Sequence, residues 1–322
     1  MNNVDRFFQR SHYNIIRVLL SLSGTWPFHT VVRRYVIYFA IALVLGSGYV
    51  FEIMGIAEIW RDTFALVDSV PLLFLGIVGY SKVICAIYTL PKIKILLIKM
   101  QKYCLSPKSD EEYKIQQSHA LYGRNLGIAY TIEHCCGLFA ALRFRLEHAF
   151  ELENNDSILT CTTTSKKNKS YSNVVYSIRR HAEAIQFVTI MESTYSIPLF
   201  IHMGCTMLVL SVLGYQVLTN MGNLNLVLHH SSYLNGLLIN LFFENWQGQK
   251  IIDSSEKVFD SAYNTEWYNM PIMARKLLIM IMMNSKKPLI VSGGHRFIVM
   301  SYVTFNAILR MSMSYFMLLR SV

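Results

Sequence analysis

His229 and His230 stand side by side, so they cannot face one metal ion from the same side of a helix. The pair reads as polar cavity wall rather than as metal ligands, and no metal or cofactor is expected. His134, Cys135 and Cys136 are compressed in the same way. The six cysteines include no CxxC pair, which argues against a disulfide framework or a zinc site. Patterns for hydrolase nucleophiles, zinc proteases, phosphate loops and dinucleotide binding are missing, so no enzymatic activity is expected.

What must position the remaining polar groups is a membrane. The 322 residues are 53% hydrophobic and 16% charged, with a mean hydropathy of +0.33. Soluble domains carry about 25% charged residues. The net charge of +10 comes from Lys and Arg lying between apolar runs, which is the positive-inside pattern and not a nucleic-acid face. The N-terminus lacks a clean apolar core and cleavage site, so no removable signal peptide is read there.

A span needs about 20 mostly apolar residues. Candidates run over about 35–53, 64–90, 193–218 and 224–243, with a last span at Phe297–Leu319 and a short, partial one at 126–142. The region 244–296 is expected on the cytoplasmic side. Residues 1–34 carry five Arg against Asp5 alone, which puts the N-terminus inside and Val322 outside. Residues 91–124 and 143–180 are both basic and both read as inside, although one marginal span at most separates them. The sequons at Asn155 and Asn168 are therefore expected to stay unglycosylated.

Polar groups within spans are costly and usually purposeful. Asp68 and Glu192 lie near span ends, where an interface accounts for them. Arg310 sits near the middle of the last span and fits a subunit contact or a wide vestibule. That span also carries Ser301, Thr304, Asn306, Ser312, Ser314 and Tyr315, with Leu318 and Val322 on one face at its outer end. A small-polar stripe ending in an apolar ring suits a dewetting gate, and equally a helix buried among others.

Three runs, FFENWQGQKIIDSSEKVFDSAYNTEWYNMP, ARKLLIMIMMNSKKP and SMSYFMLLRS, closely resemble the insect odorant receptor family. WPFHTVVRRY, EHCCGLFAALRFRLEHAF and HAEAIQFVTIMES extend the resemblance upstream, and the chain looks like a tuning subunit of hymenopteran type. The resemblance implies an all-α, polytopic transmembrane helical subunit with a cytoplasmic N-terminus. It implies assembly with the olfactory co-receptor into a heterotetramer, an odorant-gated nonselective cation channel in the plasma membrane of olfactory sensory neurons. By motif position Leu318 and Val322 match the gate, Ser321 falls where the co-receptor has Gln, and Tyr315 matches the terminal motif. Residues 244–296 correspond to the cytoplasmic anchor and 297–322 to the last, pore helix.

LYGRNLGIAYT resembles the start of the family's third span and EHCCGLF the end of its fourth. The insect odorant receptor fold is thus expected here without parts of the third and fourth spans, the gap lying near 131–134. An incomplete gene model or splice product is the preferred account, and a short, non-sensing subunit the other. Candidates for the odorant pocket are Val70, Phe74, Ile77 and Tyr80 on the second span, and His229, His230 and Tyr233 on the sixth. Their apolar and aromatic character suits a small volatile ligand, although ordinary helix packing explains each of them as well. A gustatory receptor-type channel is the nearest alternative; a G-protein-coupled receptor would need an outside N-terminus, and a transporter would show repeats.

Overall fold

Sustained apolar runs become long helices in the computed structural model, which describes residues 3–9, 13–58, 60–61, 63–106, 109–126, 130–148, 163–294 and 296–321. The helices are α1 (Asn3–Gln9), α2 (Asn14–Leu22), α3 (Val31–Glu58), α4 (Thr63–Leu105) and α5 (Asp110–Leu126). They continue as α6 (Tyr130–Glu147), α7 (Thr163–Thr219), α8 (Leu224–Asn264), α9 (Ile272–Ser285) and α10 (Tyr302–Ser321). The fold is all-α, as the sequence implies.

The candidate spans 35–53, 64–90, 193–218 and 224–243 fall inside α3, α4, α7 and α8. Among the described residues, three segments are long and apolar enough to cross a bilayer: Val31–Glu58, Ser69–Leu105 and Tyr171–Thr219. The last helix starts later than the apolar run suggests. Residues from Phe297 to Ser301 lie outside it, because β1 (Ser292–Gly293) pairs antiparallel with β2 (Ile298–Val299) ahead of Tyr302. Gly294 at φ 62° and Arg296 at φ 75° make the left-handed turn, which no continuing helix allows.

By contacts the chain divides into two compact units. The first holds Met1–Ile16, Ile95–Met191 and Gly248–Val291. Here α5 and α6 form an antiparallel hairpin. Glu112 on α5 takes the guanidinium of Arg145 on α6 in a bidentate pair, with Arg145 Nη2 donating to Oε2 at 3.0 Å. The same guanidinium lies 4.1 Å over the ring of Tyr176.

Further along α6, Glu133 accepts a hydrogen bond from Lys250 and lies 3.3 Å from His119 Nδ1. Burial alone would raise the Glu133 carboxyl, but the bonds from His119 and Lys250 hold it below the usual carboxylate range. Thr265 Oγ1 donates to the Leu146 carbonyl at 3.0 Å, and Ser261 Oγ to Glu147 at 2.6 Å, tying α6 to α8.

Within the expected partial span 126–142, residues 127–129 lie outside the described residues. Among the described residues, 130–142 belong to no segment long and apolar enough to cross a bilayer. The helix that contains them buries Glu133, Cys135, Cys136 and Phe139 within the first unit. The pairs Glu112 with Arg145 and His119 with Glu133 run α6 back along α5.

The second unit holds Arg17–Lys94, Glu192–Gln247 and Ser292–Val322. No described residue of α3 is buried, and Val32, Phe39 and Phe51 are 73%, 70% and 74% exposed. Such an apolar surface is what lipid tails would cover. Helices α3 and α4 meet through reciprocal tyrosines: the Tyr49 ring covers Gly76, the Tyr80 hydroxyl reaches Gly46, and the rings stack edge to face at 5.8 Å. A Cβ on Gly76 would lie 2.3 Å from Tyr49 Cε2, so this approach requires glycine. A second core joins Met203 and Leu210 of α7, Leu241 of α8 and Ile308 of α10.

Candidate functional site

A cavity of about 120 Å³ opens inside the second unit between α4, α7 and α8. Its α4 wall is Pro71, Leu72, Phe74, Leu75 and Val78, which recur at helical spacing along one face. From α7 come His202, Cys205, Thr206, Val209, Leu213 and Gln216, and from α8 His229, His230, Tyr233 and Leu237. His229 and Tyr233, one turn apart, meet edge to face with centroids 5.0 Å apart.

Four sequence candidates therefore share this wall: Phe74, His229, His230 and Tyr233. The other three do not line it. Tyr80 turns to Tyr49 on α3, and Val70 and Ile77 lie beside the face that carries Phe74, Leu75 and Val78. The α7 wall escaped the sequence reading altogether. Its signal was there: His202, Thr206 and Gln216 are polar residues inside an apolar span and fall on one helix face.

Two buried imidazoles give the cavity chemical character. His202 is 7% exposed, and its Nε2 sits 3.1 Å from Glu244 Oε1 and 3.1 Å from Asn240 Nδ2. Nε2 donates to Glu244 in one tautomer and accepts from Asn240 in the other, and Nδ1 takes the complementary role in each. That Nδ1, and His230 Nε2, are buried without a hydrogen-bond partner among the described residues. Orphaned buried polar atoms usually answer to water or to a ligand. The arrangement suits a small apolar guest that carries one hydrogen-bonding group. An apolar cavity of about 150 Å³ is known to admit benzene, so at about 120 Å³ this one is of the size for a small ring or short chain at most.

Of the gate candidates, Tyr315, Leu318 and Ser321 lie on α10. Tyr315 and Leu318 are exposed, at 46% and 59%, while Val322 and the side chain of Ser321 lie outside the described residues. Asp68's side chain and the Asn155 sequon also lie outside them. Arg310 is exposed, and Glu192 accepts a hydrogen bond from Ser292 at the start of the β hairpin. One face of α10 is covered, through Ile308 and Ser312. Ser312 Oγ donates to the Met207 carbonyl of α7 at 3.1 Å, and Asn245 Oδ1 accepts from Ser301 N at 3.2 Å. Met207 and Met203 back onto the helix turns that present Thr206 and His202 to the cavity. The cavity wall and the last helix thus share one core.

Comparison with known proteins fits this geometry. The family model described as 7tm Odorant receptor matches residues 125–313. The odorant receptor coreceptor of Aedes aegypti is 28% identical over 149 residues, 46% of this chain and 31% of its own length. Odorant receptor 22c of Drosophila melanogaster is 23% identical over 48% of this chain and 38% of its own length. The match spans about a third of the length of these curated relatives. In three dimensions the olfactory receptor OR5 of Machilis hrabei, solved in complex with eugenol, superposes with a TM-score of 0.72 at 12% identity. That superposition covers 95% of this chain and 97% of the other.

Proposed function

This chain belongs to the odorant receptor family of seven-transmembrane proteins, and from that premise we propose that it is an odorant-sensing subunit of a ligand-gated cation channel. The ligand is a small volatile held between α4, α7 and α8, with Phe74, His229, His230 and Tyr233 in contact. The partner is the olfactory co-receptor, in a heterotetramer in the plasma membrane of olfactory sensory neurons. The N-terminus is cytoplasmic, residues 244–296 anchor the subunits, and α10 lines the pore with its gate at Leu318, Ser321 and Val322 near Tyr315.

The observation that carries this reading is the shared core. Leu237 belongs both to the cavity wall and to the cluster around Ile308 of α10. A ligand that spreads the cavity must therefore act on packing that α10 also uses. Recording whole-cell current from cells co-expressing this chain and the co-receptor tests it. Odorant-evoked, nonselective cation current is expected from a subset of small volatiles. Surface-expressed complexes silent to a broad panel would refute odorant gating.

One observation favours a second reading, a subunit that does not sense. The α5–α6 hairpin occupies the sequence where the third and fourth spans should continue outward, and the cavity draws on three helices. Under that reading the complex still conducts when the co-receptor is opened directly, yet responds to no odorant of its own.

A further inference from the structure

A second cavity, of about 280 Å³, lies wholly within the first unit and differs in character from the first. Lys99 and Lys102 of α4, three residues apart, share one helix face on one side of it. Arg179 and Arg180 of α7 face it from the other side, with Glu183 one turn on. Arg180 is already committed: it donates to Glu183 at 2.9 Å and to Tyr176, and its guanidinium lies 4.8 Å from the Tyr103 ring centroid. Among the described residues Lys99, Lys102 and Arg179 form no ion pair, and Lys99 Nζ donates to the Gln186 amide at 2.7 Å.

Four cations against one carboxylate leave three positive charges in excess around a concave space. Lys99 and Arg180 are half-buried, and Lys102 and Arg179 reach the rim as exposed side chains. A phosphate group carries about −1.5 to −2 at neutral pH, so a single one leaves the excess unmatched and two neutralise it. Lysines serve as point-charge phosphate binders, and Arg adds a planar fork. The hydroxyls of Tyr103 on α4 and Tyr176 on α7 also line the cavity, while Ser106 Oγ already donates to the Tyr103 carbonyl at 2.7 Å. A concave pocket of this volume takes a small molecule rather than an extended peptide.

We propose that this cavity binds a small molecule bearing two or more phosphate groups, either free or as the headgroup of a membrane lipid. Basic pockets near the cytoplasmic ends of membrane helices are a recurrent place for phosphorylated headgroups. The site is separate from the odorant cavity, and its test needs no odorant.

The full-length chain, purified in detergent, would be titrated with inositol 1,4,5-trisphosphate, dioctanoyl phosphatidylinositol 4,5-bisphosphate, inorganic phosphate and heptaglutamate, with thermal stability and direct binding as readouts. The inositol compounds should bind and stabilise, inorganic phosphate should bind at least tenfold more weakly, and heptaglutamate should not compete. Equal affinity for the two inositol compounds assigns the site to a soluble ligand. Tenfold or tighter preference for the dioctanoyl form assigns it to a lipid.

The Lys99→Gln, Lys102→Gln, Arg179→Gln triple variant should lose at least tenfold in affinity. A charge-matched triple, Lys276→Gln, Lys286→Gln and Lys287→Gln, should retain it, and so should Lys102→Arg. Inositol phosphates that bind no better than inorganic phosphate, competition by heptaglutamate, or equal losses in the two triples would overturn the assignment.

Discussion

Replacing Gly76 with alanine puts a methyl group where the Tyr49 ring lies. The added Cβ would sit 2.3 Å from Cε2 and 2.6 Å from Cδ2, against an ordinary contact of 3.4 Å or more. The ring or the helix must therefore yield by about 1 Å, and overpacking of this kind costs about 1–3 kcal/mol. Alanine also favours the helix over glycine by about 1 kcal/mol, which offsets part of the clash. The net expectation is a loss of up to about 2 kcal/mol. Once Tyr49→Ala has removed the ring, the same Gly76→Ala change should become neutral or stabilising by up to about 1 kcal/mol.

The assay is the heating midpoint of the detergent-solubilised chain, read as the fraction surviving size-exclusion chromatography, for the two single variants and the double. Gly46→Ala supplies an internal scale, because its Cβ would meet only the Tyr80 hydroxyl, at 3.3 Å, and should cost less. A sign reversal on the Tyr49→Ala background confirms the reciprocal seam. If Gly76→Ala costs the same in both backgrounds, the ring is not what fills that space and the reasoning fails.

Other consequences can be measured in the same preparations. Glu112→Gln should cost about 3 kcal/mol of stability, since it strands the Arg145 guanidinium, whose side chain is 14% exposed; a loss under about 1 kcal/mol would mean the pair is solvated. The Glu133 carboxyl is held low in the folded chain, so its contribution is present above the ordinary carboxylate pKa and disappears as pH falls through the folded value. The stability gap between the wild type and Glu133→Gln should accordingly close on acidification, and a gap independent of pH contradicts it. His230→Leu should weaken responses to alcohols and phenols about tenfold while sparing hydrocarbons of equal size, read as shifts in half-maximal odorant concentration. Leu318→Ala should raise current in the absence of odorant, and an unchanged basal current would remove Leu318 from the gate.

Much of this architecture is legible in the apolar runs, since the position of each span depends on local composition. What local composition does not report is which face of a helix turns inward. On α4 the cavity face is the one with Pro71, Phe74, Leu75 and Val78, and of the four residues read from sequence only Phe74 falls on it. The α5–α6 hairpin depends on pairs far apart in sequence, Glu112 with Arg145 and Glu133 with Lys250, which periodicity does not reveal. The β hairpin was hidden by apolarity continuing from Phe297 into α10, although Gly293 and Gly294 marked its turn. His202 and Gln216 are visible in the sequence as polar interruptions of an apolar span, alike in kind to Glu192 and Arg310.

The bond from Ser312 to the Met207 carbonyl has an asymmetry that matters if α10 moves. The Met207 carbonyl also accepts from Ser211 Oγ within α7, at 2.9 Å. A displacement of α10 that withdraws Ser312 leaves that oxygen still engaged, so no backbone acceptor is stranded in an apolar seam. What is exposed is one hydroxyl, which can rotate toward a new partner. A stranded buried acceptor costs about 1–3 kcal/mol, and here that cost is avoided. The junction is thus specific enough to fix where α10 rests, yet weak enough to let it go.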